Sequence, residues 1–469
     1  MALSGGAKVV FEIANRFMDK GDSVDIFSYS AAPTWFPLRA AVIPQKDPED
    51  VPWADYDFIV ICLAFMLPVI LPFISGASAP RAVFYCLDYE SFHHARGAGY
   101  EDFVADDPTF VEIYKLPVPI VTISRAVQTL IRERVGCDAY HVPPGVDKAV
   151  FLPRPLRAEA AIKRVVMVGN YLMPYKGMAD AFEALTELSR KFPVELVLVT
   201  SETRNRKMLE SLPFPVEVHR RPQDCDMSAI ISSCDVLCCA SWYEGLGLPA
   251  LEAMHCGVPA VSTRNYGVAD YGIDGVNLLL ADPHDPADLA RALERILTDH
   301  GLALRLREEG FRTAGNGFHW SHTIDALRLV FDEIASAGPQ PSVDPETLHS
   351  LARRMEQQGN YTPIAIGRRY RELTDRLHQA CESIAAGGVA PDAGVAVVRD
   401  IVAELSEFID NPGAEYYGVF RAEYDFARLA AGLAGHPRMQ EALRALMNRR
   451  KTPAAAPCPS IREVIYEVA

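Results

Sequence analysis

The sequence lacks the features that mark disulfide-rich, zinc-binding and duplex-binding proteins. Its 10 cysteines are scattered, and none lies in the C-x-x-C spacing of a zinc site. Lys and Arg number 46 against 61 Asp and Glu, which gives a net charge of -15. Because a duplex reader needs basic patches that displace counterions, we expect no duplex nucleic acid as a partner. The chain also opens without a signal-peptide pattern, so we expect a cytoplasmic location.

Long uninterrupted hydrophobic runs are also scarce. The main candidate, FIVICLAFMLPVILPFI at residues 58–74, is nearly long enough to span a bilayer. Pro68 and Pro72 interrupt it, and the run divides into a buried strand at 58–63 and a short helix. We therefore predict core elements here, and membrane contact at this run is possible but not predicted.

What the sequence does contain is an α/β pattern. Short runs rich in Val and Ile alternate with amphipathic stretches, which is typical of parallel sheets covered by helices. The clearest strand candidates are SVDIFSY, DFIVICL, RAVFYCL and PIVTIS in the first half and RVVMVGN, VELVLVT, DVLCCAS and VPAVST in the second. A proline-rich join at 143–155 separates them, so we predict Rossmann-like domains at residues 1–150 and 151–337.

The remaining residues, 345–469, follow a different pattern. Up to about residue 450 the period is helical, without alternating strands, as in RRYRELTDRLHQACESI. Apolar positions at helical spacing need a surface to bury them, so we expect a helical appendage that packs on the body and could join copies into a homo-oligomer. The final IREVIYEVA is compatible with a strand or a helix.

The stretch YEGLGLPALEAM, residues 243–254, carries the clearest chemistry. It follows a buried strand candidate, and Pro249 is well placed to open a helix that Gly257 would end. Glu244 then lies in the loop and Glu252 in the first helical turn, at the carboxyl edge where open α/β sheets bind ligands. Close-approaching glycine backbone and a helix N-terminus suit an anion, so the stretch fits a sugar nucleotide with its hydroxyls and diphosphate.

This spacing resembles the E-x7-E motif of retaining GT-B glycosyltransferases, and the chain resembles glycosyltransferase family 4. The resemblance implies that Glu244 contacts the donor sugar and that Glu252 holds the ribose. The intervening loop would touch sugar and phosphate through Gly245, Leu246, Gly247 and Leu248. The first domain would then bind the acceptor and the second the nucleotide sugar.

Two further segments fall in the order of that family. SGGAKVVFEIANRFMDKGDSVDIF resembles its N-terminal glycine loop and helix, which implies that Gly5 and Gly6 lie near the diphosphate and the acceptor cleft. VVMVGNYLMPYKGMADAFEAL resembles the segment whose lysine, here Lys176, neutralises the diphosphate. Asn170 occupies the place of the usual arginine, so either another basic residue substitutes or donor binding is weaker.

The segment YCLDYESFHHARGAGYEDF resembles the Q-D-Y-E-P-x-F segment of the rhamnosyltransferase-like branch, with Leu87 in place of glutamine. Asp88 would be a catalytic candidate with Glu244 and Lys176, and Glu90 would lie on the acceptor side. These acids could equally be solvated residues of a strand-end turn. His93 and His94 could face the acceptor or be ordinary surface residues.

The resemblance implies an α/β GT-B fold and transfer of a hexose or deoxyhexose from a nucleoside-diphosphate sugar to a hydroxyl acceptor. That acceptor could be a glycan, protein or small molecule, and polysaccharide biosynthesis is the expected context. No metal or other cofactor is required, because Lys176, loop amides and a helix dipole can stabilise the diphosphate. The DCD at 224–226 is better explained as a helix N-cap than as a metal motif. An inactive scaffold protein and a sugar-nucleotide epimerase are the alternatives.

One departure from a Rossmann pattern lies at the start. The first strand of such a sheet normally precedes the glycine loop, and here only residues 1–4 precede Gly5. Either the start lies upstream or another segment fills the gap.

Overall fold

The computed structural model describes residues 5–28, 32–44, 48, 51–74, 79–94, 100–154, 160–202, 205–220, 222–357, 376 and 379. The described chain forms two α/β domains built on parallel sheets. The α/β class predicted from the alternating apolar runs is therefore confirmed.

The first domain contains a two-stranded and a four-stranded sheet. Its strands are β1 (Asp25–Ser28), β2 (Ala41–Pro44), β3 (Phe58–Ile61), β4 (Arg81–Cys86), β5 (Ile120–Thr122) and β6 (Tyr140–His141). β1 pairs with β2, and β3, β4, β5 and β6 pair in that order, all in parallel. Its helices are α1 (Gly5–Asp19), α2 (Leu67–Ile70), α3 (Tyr100–Phe103), α4 (Pro108–Tyr114) and α5 (Arg125–Leu130).

Among the described residues, no strand pairing joins the two sheets of the first domain. Within the described residues no strand precedes α1, and none connects β1 to β3. Side chains span this place instead, since Phe27 packs edge-on against Tyr56 at 5.7 Å between ring centroids. Val60 of β3 is 44% exposed. The described part of the chain thus contains no segment that fills the gap anticipated from the sequence.

The second domain contains one six-stranded parallel sheet. Its strands are β7 (Lys163–Val168), β8 (Val194–Thr200), β9 (Val216–Arg220), β10 (Val236–Cys239), β11 (Ala260–Thr263) and β12 (Leu279–Ala281), in the order β12-β11-β10-β7-β8-β9. Its helices are α6 (Met178–Ser189), α7 (Arg206–Glu210), α8 (Asp224–Ser232), α9 (Leu248–His255), α10 (Pro286–Thr298) and α11 (His300–Gly317). The strand order reverses between β7 and β10, so a crevice opens at their carboxyl ends.

The chain returns to the first domain through α12 (Trp320–Ser336) and α13 (Pro345–Gln357). Phe331 of α12 stacks on Phe58 of β3 at 4.7 Å between ring centroids. Between the two helices, the side chain of Gln340 bonds both the N–H and the C=O of Ala82 in β4. The crossing therefore ties the two domains together on the side of the first sheet.

Helix α13 packs against α2 and α4 of the first domain. Its Leu348, Leu351 and Met355 are all buried, and Arg354 donates to Glu112 of α4 at 2.9 Å. This is the part of the expected helical appendage that the structure describes, and it packs on the body. The other appendage positions lie outside the described residues, apart from 376 and 379.

The apolar run at 58–74 divides into a strand and a short helix as predicted, but the expectation of a buried strand was wrong, because only Ile61 of Phe58–Ile61 is buried. It forms β3 and then α2, with short 3-10 turns at Ala64–Met66 and Leu71–Phe73. Across the described ranges, no helix is both long and apolar enough to cross a membrane.

We expect Leu351→Ala to destabilise the protein by about 2–4 kcal/mol, because truncation of a buried leucine leaves a cavity under α13. Urea unfolding measures the change. The control is Leu329→Ala on α12, where the side chain is 70% exposed and the loss should be small. Equal unfolding midpoints for Leu351→Ala and the parent would show that α13 does not stabilise the first domain.

Candidate functional site

The crevice between β7 and β10 is lined by the loops that follow these strands. The first loop contains Asn170 and ends in a 3-10 turn, Pro174–Lys176. Gly177 follows in the left-handed region, with φ 59°, and a Cβ there would clash with the carbonyl of Ala240. Only glycine allows this approach. The N–H of Trp242 completes the contact by donating to the Tyr175 carbonyl at 2.7 Å.

Lys176 and Glu244 meet at the centre of this crevice. The Lys176 Nζ lies 2.7 Å from Glu244 Oε1, and Ser241 Oγ donates to the same oxygen at 2.6 Å. Burial alone would lower the pKa of Lys176, but the negative charge and hydrogen bond of Glu244 outweigh it and raise the pKa above its usual value. The lysine therefore stays cationic at neutral pH, and a fixed positive charge is available at the carboxyl edge of the sheet.

Helix α9 begins beside this pair. Gly247 lies at its N-cap with φ 86°, and its carbonyl accepts from the Tyr271 hydroxyl at 2.9 Å. The helix starts at Leu248, one residue before the Pro249 predicted from the sequence. Glu252 is 6% exposed on this helix. Its Oε1 lies 2.7 Å from Lys8 Nζ, so the buried carboxylate has a cationic partner.

The glycine-leucine loop reaches the first domain. A Cβ on Gly245 would clash with the carbonyl of Leu87 and lie 3.2 Å from the Asp88 Cβ. A Cβ on Gly5 would lie 3.7 Å from Leu248 Cδ1, and one on Gly6 would lie 3.2 Å from Leu87 Cδ1. The starts of α1 and α9 therefore approach each other across the cleft, where the sequence predicted Gly5, Gly6 and Asp88.

Glu90 is placed differently from Asp88. Its side chain is buried, and its carboxylate accepts from the Ala64 N–H at 2.7 Å inside the first domain. Burial and the neighbouring Asp88 charge raise the pKa of Glu90 well above its usual value, although the Ala64 hydrogen bond opposes this. His93 and His94 belong to the same 3-10 turn, Glu90–His94, but their side chains fall outside the described part. The acceptor-side roles of all three stay predictions.

Asn170 does not replace the missing arginine with another charge. Its Oδ1 accepts from the Leu172 N–H at 2.9 Å and so stabilises its own loop. The second cation near Glu244 and Glu252 is instead Lys8, the fourth residue of α1, which pairs with Glu252. Lys8 closely follows Gly5 and Gly6 in the sequence, but the sequence pattern did not predict it as a site residue.

Aromatic side chains close the cleft on the Lys176 side and were also missed. Phe103 of α3 stacks on Tyr175 at 5.4 Å between ring centroids. The Tyr243 hydroxyl accepts from the Tyr89 N–H at 2.5 Å and is buried between the domains. The YEGLGL stretch thus also supplies a domain contact through its first residue.

Asp224 and Asp226 do not form the predicted N-cap. Helix α8 begins at Asp224 itself, and Gln223 occupies the cap position without a side-chain cap bond. In the part of the chain that the structure describes, no cluster of three or more His, Cys, Asp or Glu could hold a metal ion. Metal independence remains a prediction.

Residues 162–299 match the family model described as glycosyl transferases group 1. This segment contains the loops that follow β7 and β10, and helix α9. Over this segment, the chain is similar to the group 1 glycosyltransferases. It is 31% identical over 237 residues to the MMP alpha-(1->4)-mannosyltransferase of Mycolicibacterium hassiacum, covering 48% of this chain and 57% of that protein. It is 29% identical over 244 residues to a D-inositol 3-phosphate glycosyltransferase of Corynebacterium jeikeium, covering 47% and 58% respectively. The chain thus spans little more than half the length of these relatives.

Solved structures share the two-domain architecture. Sucrose-phosphate synthase from Thermosynechococcus elongatus superposes with a TM-score of 0.58 at 19% identity, over 71% of this chain and 94% of that one. Anabaena Alr3699/HepE, solved in complex with UDP-glucose, gives 0.57 at 17% identity, over 71% and 97%. At these identities the likeness concerns the fold, and it confirms the predicted GT-B architecture. The rhamnosyltransferase-like branch stays a prediction.

We expect Glu90→Gln to gain stability relative to the parent as the pH rises from about 5 toward the raised folded pKa of Glu90. In that range the folded parent retains a proton that the unfolded chain releases, because the folded pKa of Glu90 is raised, and its stability therefore falls. The amide of the variant would keep an oxygen for the Ala64 N–H without ionising. The slope is at most about 1.4 kcal/mol per pH unit, and paired urea titrations at several pH values measure it.

The control for this experiment is Glu112→Gln. The Arg354 hydrogen bond lowers the pKa of Glu112, so this carboxyl is ionised in both folded and unfolded chains above about pH 5. Its stability difference from the parent should not change across the range. A Glu90→Gln difference that is equally flat would contradict the raised pKa.

Proposed function

We propose that this protein is a retaining glycosyltransferase that moves a hexose or deoxyhexose from a nucleoside-diphosphate sugar to a hydroxyl acceptor. The observation that carries the proposal is the Lys176–Glu244 ion pair at the strand-order reversal, next to the N-terminus of α9. A fixed cation, a helix N-terminus and two buried or half-buried carboxylates together match a diphosphate flanked by sugar and ribose hydroxyls.

Each part of the donor has a corresponding group in the cleft. Glu252 accepts from the ribose hydroxyls, and Lys176 and the α9 amides bind the diphosphate. Glu244 accepts from the transferred sugar. Ser241 and Lys176 position its carboxylate for this contact through hydrogen bonds to Oε1 at 2.6 and 2.7 Å. When the diphosphate draws Lys176 toward itself, the Glu244 oxygen gains capacity for a sugar hydroxyl.

The chemistry breaks the bond between the sugar C1 and the phosphate oxygen, and the electron pair stays on that oxygen. The acceptor oxygen bonds to C1 on the same face, and its proton passes to the leaving phosphate. Lys176 and the backbone dipoles stabilise the charge that develops on the diphosphate. Asp88 lies beside Gly245 from the first domain, and it would orient the sugar or the acceptor.

The acceptor is a hydroxyl of a glycan, protein or small molecule, bound on the first-domain side of the cleft. The acidic balance of the chain, -15, disfavours residence on an anionic membrane surface. No metal is required by this scheme, because Lys176 supplies the cation.

Lys176→Ala and Glu252→Ala should each weaken nucleoside diphosphate binding by about tenfold or more, because each removes a charge-assisted contact. Glu244→Ala should mainly lower turnover, by about 10²–10³, because its contact is to the reacting sugar. Calorimetry with nucleoside diphosphates and a transfer assay over a panel of sugar nucleotides, each with EDTA present, measure both effects.

Lys191→Ala is the matched control, since this lysine lies in the same domain but is 42% exposed and pairs with Glu187 and Glu294. It should change neither binding nor turnover. If Lys176→Ala binds nucleoside diphosphate as tightly as the parent, the diphosphate site is misplaced. Loss of transfer in EDTA would contradict the metal-free scheme.

A further inference from the structure

Lys8 connects the two domains inside the cleft. It lies on α1 of the first domain, and its Nζ is 2.7 Å from Oε1 of Glu252 on α9 of the second domain. The two side chains are only 13% and 8% exposed. The ammonium also lies 4.5 Å from the centroid of the Phe151 ring, a distance at which a cation–π contact is favourable. Lys8 is therefore held at a defined position.

We propose that Lys8 is a positioning residue of the donor site, which orients the Glu252 carboxylate for the ribose hydroxyls. The proposal rests on the function proposed above. Lys8 itself does not touch the reacting atoms; it acts through Glu252.

The argument begins with the charge of Glu252. A carboxylate that is 6% exposed is costly unless a counter-charge or hydrogen bonds compensate it. Lys8 supplies a counter-charge at 2.7 Å and fixes one oxygen of the carboxylate. An ionised oxygen accepts hydroxyl hydrogen bonds more strongly than a neutral carboxyl does, so the pair prepares Glu252 for a diol.

The second step concerns the domains. Because Lys8 and Glu252 belong to different domains, the carboxylate is compensated by this lysine only when α1 and α9 are close, as they are at Gly5 and Leu248. Ribose recognition is thereby coupled to the approach of the two domains. Loss of Lys8 should consequently affect ligands that carry ribose hydroxyls and spare those that lack them.

Two other roles for Lys8 predict different outcomes. If Lys8 contacted the diphosphate directly, replacing the arginine absent at Asn170, its loss would weaken every diphosphate ligand equally. If it only joined the domains, its loss would lower thermal stability without changing ligand discrimination.

The experiment compares Lys8→Met, Lys8→Arg and Lys20→Met in the full chain. Calorimetry measures the affinity for the nucleoside diphosphate that the parent binds most tightly and for its 2′,3′-dideoxy counterpart. Lys20 is the matched control. Like Lys8, it is a lysine of the first domain that pairs with an acid on a distant helix, but its ion pair with Asp325 of α12, at 3.8 Å, is exposed and lies outside the cleft. Thermal unfolding of each variant is recorded in parallel.

We expect Lys8→Met to weaken binding of the ribose ligand by about tenfold while leaving the dideoxy ligand unchanged, so that discrimination between them collapses. Lys8→Arg should retain most of the discrimination, because it preserves the cation, and Lys20→Met should retain all of it.

Equal losses for both ligands, or full discrimination in Lys8→Met with only a lower unfolding temperature, would overturn the positioning role. In either case the parent still binds nucleoside diphosphate, so the proposed function stands. A parent that binds none of the nucleoside diphosphates would overturn both proposals.

Discussion

The contact between the loops that follow β7 and β10 determines the candidate site. Gly177 lies against the Ala240 carbonyl so closely that no side chain fits, and this brings Lys176 to within 2.7 Å of Glu244. Without that approach the lysine would be an ordinary residue of a surface turn. Because the sheet order reverses at these two strands, no intervening strand separates their loops. The electrostatics of the cleft thus follow from the topology of the second sheet.

Sequence patterns predicted the buried strands best. β8 and β10 are mostly apolar and almost entirely buried on both faces, and such runs stand out against their surroundings. The four described strands that were not predicted are short or partly exposed: β2 has four residues, β6 has two, β12 has three, and β9 is only partly buried along its length. For such short or half-exposed segments, pairing with neighbours decides the conformation, and a single sequence does not contain that information locally.

The same limit applies to the site. Glu244 and Glu252 were predicted from their places beside glycines, a proline and a strand end, whereas Lys176 was predicted from the resemblance of its segment to glycosyltransferase family 4. Lys8 was not, because its partner Glu252 is 244 residues away and a lysine on an amphipathic helix is usually solvated. Asp88 and Glu90 show the converse, since two acids of one turn separate into a cleft residue and a buried one. The backbone of Ala64 makes that difference.

Because synthesis proceeds from the N-terminus, the first domain leaves the ribosome long before α13 does. The apolar surface that α13 covers includes Leu67 and Ile70. It is completed by Leu348, Leu351 and Met355, which follow the second domain in the sequence. Throughout translation of the second domain this surface faces water or a chaperone. The first domain therefore cannot complete its core while the second domain is being translated. The nascent chain exposes an aggregation-prone apolar surface until α13 is synthesised and covers it.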